Sequence, residues 1–270
     1  MVIDKSEKIV WLARFGYAVR GLVYLLLGYL LLSATGKDEV SRGTTGALEY
    51  VRDIPGGTAI LYLSAVGLIG YAVYKLIAGL FDTENLGTDV KGAGKRVSYV
   101  VSAAVYGALS WTAIQLARGA QASGGNQNRE LASTALTFDL GPLALGLAGL
   151  ALLIGAGAQA KSAYDLGFMR HISSDAPPAT CWIGRIGLGT RAVVFLLMGW
   201  SLLRSAWFAS SEEVRSLGQA LLDLREMGVG FSIIAAGIAL FGVFSLITAR
   251  FRIIPDPDPK LNLGSRMRRA

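Results

Sequence analysis

Two segments of the chain repeat one arginine spacing. RFGYAVRGLVYLLLG carries Arg14 and Arg20, and RIGLGTRAVVFLLMG carries Arg185 and Arg191, six residues apart in each case. A guanidinium is permanently charged, and its planar fork of donors matches the oxygens of phosphate and carboxylate in pairs. The chemistry on offer is therefore recognition of an oxyanion or pairing with a carboxylate, not proton transfer. The groups that run acid–base, nucleophilic or metal chemistry are scarce. His171 and Cys181 each occur once, so one chain holds no zinc site, no bis-histidine haem and no internal disulfide of its own. Both read as solvated loop positions. There is no P-loop and no G-x-S-x-G elbow. The expectation is a protein that is not an enzyme and has no cofactor or metal.

The elements that position the arginines follow from hydropathy. Of 270 residues, 53 % are hydrophobic and 17 % charged, with a mean hydropathy of +0.48. The apolar residues fall in blocks of the length that crosses a bilayer as a helix. Six such blocks run over 15–34, 57–81, 97–116, 140–164, 186–208 and 229–249. Strand alternation is not sustained anywhere, which excludes a membrane β-barrel. The first block follows basic residues, as a signal peptide would. However, Leu32-Ser33-Ala34 is a poor cleavage junction and the same segment returns inside the chain. The class is an all-α integral membrane protein, a single membrane domain over 1–270.

Six spans place both termini on one side. Fifteen Lys and Arg fall on that side and eight on the other, with Arg20, Lys75 and Arg191 within spans. The positive-inside rule then expects both termini in the cytoplasm. The isoelectric point of 9.6 is a topology signal rather than a nucleic-acid signal. The Pro-Asp tail over 253–270 reads as a flexible cytoplasmic end without a core.

The blocks repeat as pairs. Shifts of 82 and 171 carry Arg14 onto Arg96 and Arg185. The same shifts carry Gly16 onto Ser98 and Gly187, and Arg20 onto Ser102 and Arg191. They carry Tyr24 onto Tyr106 and Phe195, and Gly28 onto Ser110 and Gly199. The second helices match as AVGLIGYAVY (65–74) and AAGIALFGVF (235–244), while the middle GLAGLALLIGAG (146–157) keeps glycines and loses aromatics. The units are 11–82, 93–165 and 182–252. Short amphipathic helices are expected in the outer connections, at 45–57, 129–142 and 216–228. Each unit spans twice, so all three point the same way, and a pseudo-threefold bundle of six helices is the natural packing. Positions four apart share a helix face. Gly16, Arg20, Tyr24 and Gly28 therefore form one stripe, Ser98, Ser102, Tyr106 and Ser110 a second, and Gly187, Arg191, Phe195 and Gly199 a third. Small residues there permit close helix approach.

ARFGYAVRGLVYLLLG, the Gly-rich aromatic second helix and the triplication together resemble the bacterial family catalogued as domain of unknown function 1206. The resemblance covers Trp11 to about Arg252. It implies six spans as a helix pair occurring three times, and it carries no established activity or functional residues to transfer. Ser102 departs from the arginine of the other two copies.

Arg20 lies about 9 Å deeper than Arg14 at 1.5 Å per residue, where a charge is costly. An arginine there is expected to snorkel to the interface or bond carbonyls of a neighbouring helix. Asp82 and Asp165, which close second helices, are the candidate ion-pair partners for Arg14, Arg96 and Arg185. Lys75, Gln115 and Gln159 are further polar residues toward span ends, with Lys75 expected to snorkel. Arginines outnumber these acids. The expected function is therefore a non-catalytic interaction or accessory protein that binds anionic membrane lipid or a partner membrane protein, with no nucleic acid. The alternative is a channel or transporter for a small solute or anion along the threefold axis.

Overall fold

The structure is a computed structural model that describes residues 5–33, 44–82, 87, 89–120, 127–210 and 229–254. The outer segment at 216–228 and all but the first two residues of the tail lie outside these. The described residues are helical apart from turns and one isolated β-bridge. The long helices are α1 (Lys5–Leu32), α3 (Gly57–Phe81), α4 (Val90–Ala117), α6 (Gly141–Tyr164), α7 (Thr180–Phe208) and α8 (Val229–Phe251). All six are long and apolar enough to cross a membrane, and the chain is a multi-pass membrane protein. Two of the three outer helices fall within the described residues, as α2 (Thr44–Asp53) and α5 (Gln127–Leu136).

Helices α1, α4 and α7 begin several residues before their apolar blocks. A helix persists past the point where hydropathy falls, because its backbone bonds do not depend on lipid. Arg14, Arg96 and Arg185 consequently sit inside helices rather than in connections. The start of α4 is capped by Asp89, whose carboxylate accepts from the Gly92 amide at 3.1 Å, as N-cap acids do. Pro142 stands in the first turn of α6, where its missing N–H costs nothing.

The closest helix pairs join different repeats: α1 with α8, α3 with α4, and α6 with α7. Within repeats, α1 packs on α3 and α7 on α8, whereas α4 and α6 are not paired in this way. The spans are thus ordered as an open arc, α4–α3–α1–α8–α7–α6. The pseudo-threefold ring expected from the repeats is not completed, because the middle repeat stands open.

The three stripes explain both the joins and the opening. An added Cβ at Gly28 would stand 2.7 Å from Ala239 Cβ of α8, and one at Gly199 would stand 2.9 Å from the Gly149 carbonyl of α6. The Ser110 hydroxyl donates to the Ala65 carbonyl of α3 at 2.8 Å. One repeated position therefore seats all three joins between repeats. Nearer the helix starts, Gly16 lies against Gly67 and Tyr71 of α3, and Gly187 against Phe241 of α8. Their counterpart Ser98 is exposed and bonds its own helix at Lys95. The middle repeat lacks the arginine–aromatic contact that binds the other two hairpins. Ser102 replaces the arginine, Leu153 stands where Tyr71 and Phe241 recur, and the Ser102 hydroxyl turns back to the Ser98 carbonyl.

Helix α2 rests on the ends of α1, α3 and α4. Its Glu49 is buried. Arg52 and Asp53 pair at 2.8 Å on the exposed side, and that hydrogen bond holds the Arg52 guanidinium above its ordinary value. At the opposite end, Phe168 packs on Phe244, and Ile253 N–H donates to the His171 carbonyl at 2.9 Å. The connection between α6 and α7 is thereby clamped beneath the end of α8.

Candidate functional site: a file of arginines and aromatic rings

Arg14, Arg96 and Arg185 lie toward the starts of α1, α4 and α7, at the side of the bundle carrying the 3–4 and 6–7 helix connections. Arg96 reaches across the α3–α4 join and donates to the Gly79 and Leu80 carbonyls, both at 2.8 Å. Arg185 does the same across the α6–α7 join, donating to the Tyr164 carbonyl at 3.3 Å. A helix leaves its last carbonyls unbonded, and a cation there also complements the helix dipole. These two arginines cap the preceding repeat. Of the candidate acids, an Asp82 carboxylate oxygen accepts from the Gly87 amide at 3.0 Å, and Asp165 closes α6 with its backbone N–H on the Lys161 carbonyl. Arg14 Nε is buried with no hydrogen-bond partner among the described residues.

Arg20 is different. It is 6 % exposed, neither reaches an interface nor bonds a backbone carbonyl, and lies where three helices meet. Its Nη1 donates to the Tyr71 hydroxyl of α3 at 2.7 Å. Its Nε and Nη2 donate to the Ser245 hydroxyl of α8 at 3.2 and 3.0 Å. The guanidinium carbon lies 4.8 Å from the Tyr17 ring centre, 5.0 Å from Tyr71 and 5.2 Å from Phe241. Ring faces attract a cation by about 2 kcal/mol or more when desolvated. Every partner of Arg20 is neutral.

Arg191 stacks on the same Phe241 ring at 4.8 Å and on Phe195 at 4.8 Å. Arg252 lies 5.4 Å from the Tyr17 ring. The result is an alternating file from the end of α8 inward: Arg252, Tyr17, Arg20, Phe241, Arg191, Phe195. Tyr71 extends it sideways, edge-on to Tyr17 at 4.9 Å and to Tyr106 at 4.7 Å, and Tyr24 meets Phe241 at 4.9 Å. Lys75, expected to snorkel, is buried with its Nζ 3.6 Å from the Tyr99 ring.

The expected stripes thus come together in the first repeat, where Gly16, Arg20, Tyr24 and Gly28 are all buried. In the second only Tyr106 and Ser110 are buried, and in the third Gly187 and Gly199. Sequence reasoning missed Tyr17, Tyr71, Phe241, Ser245 and Arg252. Tyr71 and Phe241 carried a usable signal, since they recur at one place in the two matched second helices. Among the described residues no cluster of His, Cys, Asp and Glu fits a metal ion.

The comparisons with known proteins agree with the tripled architecture. The chain is 28% identical over 254 residues to "Uncharacterized protein YxxB" of Bacillus subtilis (strain 168), covering 90% of this chain and 92% of that protein. No solved structure matches it. The family described as Domain of Unknown Function (DUF1206) matches at residues 15–82, 97–164 and 186–252. By those three successive matches, the chain belongs to the DUF1206 family.

Proposed function

We propose that this is a non-catalytic interaction or accessory protein of the bacterial cytoplasmic membrane that holds an anionic lipid headgroup in the half of the bundle facing the cytoplasm. The observation that carries the reading is the pair Arg20 and Arg191. Both lie within spans, both touch one aromatic ring, and neither has a carboxylate partner among the described residues. Removing two cations from water without a counter-charge is expensive, and ring faces offset only part of that. An anion supplied by the surrounding leaflet offsets the rest, and phospholipid phosphate is the most abundant one available. The basic bias of the side that carries the termini supports a cytoplasmic placement for both. The tight ring packing around Arg20 favours holding over conduction along an axis.

The test is native mass spectrometry of protein extracted gently from its own membrane, beside the Arg20→Leu/Arg191→Leu double variant. Anionic lipid retained by the wild type and lost in the variant is the expected result. Equal retention by both proteins overturns the reading.

A further inference from the structure

Arg20 and Arg191 are repeat equivalents, yet only Arg20 is satisfied. Its cross-repeat partner is Ser245 of α8, at 3.0 and 3.2 Å. The repeat matches place Lys75 of α3 and Gly157 of α6 at the position of Ser245. Gly157 offers Arg191 no side chain, and it stands on the far side of α6 from Gly155, which meets Phe195 of α7. An added Cβ at Gly157 would meet nothing within 4 Å, and Gly157 is exposed where Ser245 is fully buried. The difference follows from the open middle repeat, because α4 does not cover α6 as its counterparts cover α3 and α8.

Two buried polar atoms mark the α6–α7 join. Arg191 Nε and Gln159 Oε1 are both shut away from solvent without a hydrogen-bond partner among the described residues. The join puts them at one level. Gly155 faces Phe195 on one side of that level, and Tyr164 accepts from Arg185 on the other. In antiparallel helices that register sets Gln159 opposite Arg191. Orphaned buried polar groups are rare in folded proteins, and each calls for a partner. Half a turn about the last bond of the Gln159 side chain exchanges Oε1 for Nε2 without a change of shape. The place then offers a guanidinium and an amide donor.

We propose that the α6–α7 join holds one phosphate group between Arg191 and Gln159. The assignment rests on the reading above that the bundle binds an anion, and it gives that anion an address. The phosphate belongs either to a phospholipid headgroup or to free phosphate in the cytoplasm.

The experiment uses the full chain in phosphatidylcholine nanodiscs. Dioleoyl phosphatidate is titrated in one arm and inorganic phosphate in the other, with bound ligand read by native mass spectrometry. Gln159→Glu sets a carboxylate opposite Arg191, and so satisfies it from within. It should weaken binding about ten-fold, as should Gln159→Leu, the effect of losing one charge-assisted or buried hydrogen bond. Gly157→Ala places a carbon on the exposed face of α6 and should bind as wild type, which controls for folding. Saturation in the phosphatidate arm assigns the site to lipid, and in the phosphate arm to the free ion. Binding that survives Gln159→Glu and Gln159→Leu unchanged overturns this site while leaving anion binding intact. A wild-type protein that binds neither probe overturns both.

Discussion

At the scale of single residues, the account turns on how a charge is kept inside a membrane bundle without an acid beside it. Arg20 does this with two hydroxyls and three rings, a solution that needs the planar fork of arginine. Lysine has one ammonium and cannot reach Tyr71 and Ser245 together while stacking on Phe241. Arg20→Lys should therefore unfold at a lower temperature than wild type in detergent. Tyr71→Phe keeps the ring and removes only the acceptor. Losing a hydrogen bond to a charged group costs about 1.5–3 kcal/mol, so this variant should shift the same transition downward by a smaller amount. An unchanged transition for both would show that the Arg20 contacts do not hold the helices together. Little of this was readable in advance. The sequence exposes that Arg20 is deep, but its partners lie 51 and 225 residues away. No periodicity reports a contact of that kind.

At the scale of elements, glycine and serine positions decide which helices meet. In lipid, apolar side chains gain little by leaving the tails for another helix, so close packing and hydrogen bonds set the pairing. That is why span number and repeat boundaries were legible from hydropathy and self-similarity, whereas the choice of neighbours was not. A face turned to lipid and a face turned to protein are equally apolar. The stripes gave a partial answer: Gly28, Ser110 and Gly199 each seat a join, but nothing in Ser98 announced that its face would be left uncovered. Gly149→Leu forces new atoms against the Gly199 carbonyl and Leu203, and overpacking of this kind costs about 1–3 kcal/mol. Gly107→Leu meets open space at its Cβ and should leave the thermal transition within about 0.5 kcal/mol of wild type. Equal responses of the two variants would contradict the assigned α6–α7 join. The arginine caps can be probed in the same way. Arg96→Ala strips the Gly79 and Leu80 carbonyls of their partner, and hydrogen exchange across the last turn of α3 should quicken. Exchange at the wild-type rate there would argue against the cap.

At the scale of the whole molecule, triplication has produced two hairpins of one kind and one of another. The first and third repeats keep arginine on the first long helix and an aromatic ring on the second. The middle repeat has Ser102 and Leu153 in those places and stands open. The opening leaves one face of α6 uncovered, Gly157 included, so the least conforming repeat departs from the packing that the other two share. The central claim is that the ring of six spans is broken between α4 and α6 and that the α6–α7 join holds an anion at Arg191. The most direct measurement is a cryo-electron-microscopy map of the full chain in native-lipid nanodiscs, held by a rigid antibody fragment. The account predicts the span order α4–α3–α1–α8–α7–α6, with α4 and α6 apart and density of phosphate size between Arg191 and Gln159. A closed ring with α4 packed on α6 as α1 packs on α3, and no density beside Arg191, would contradict it.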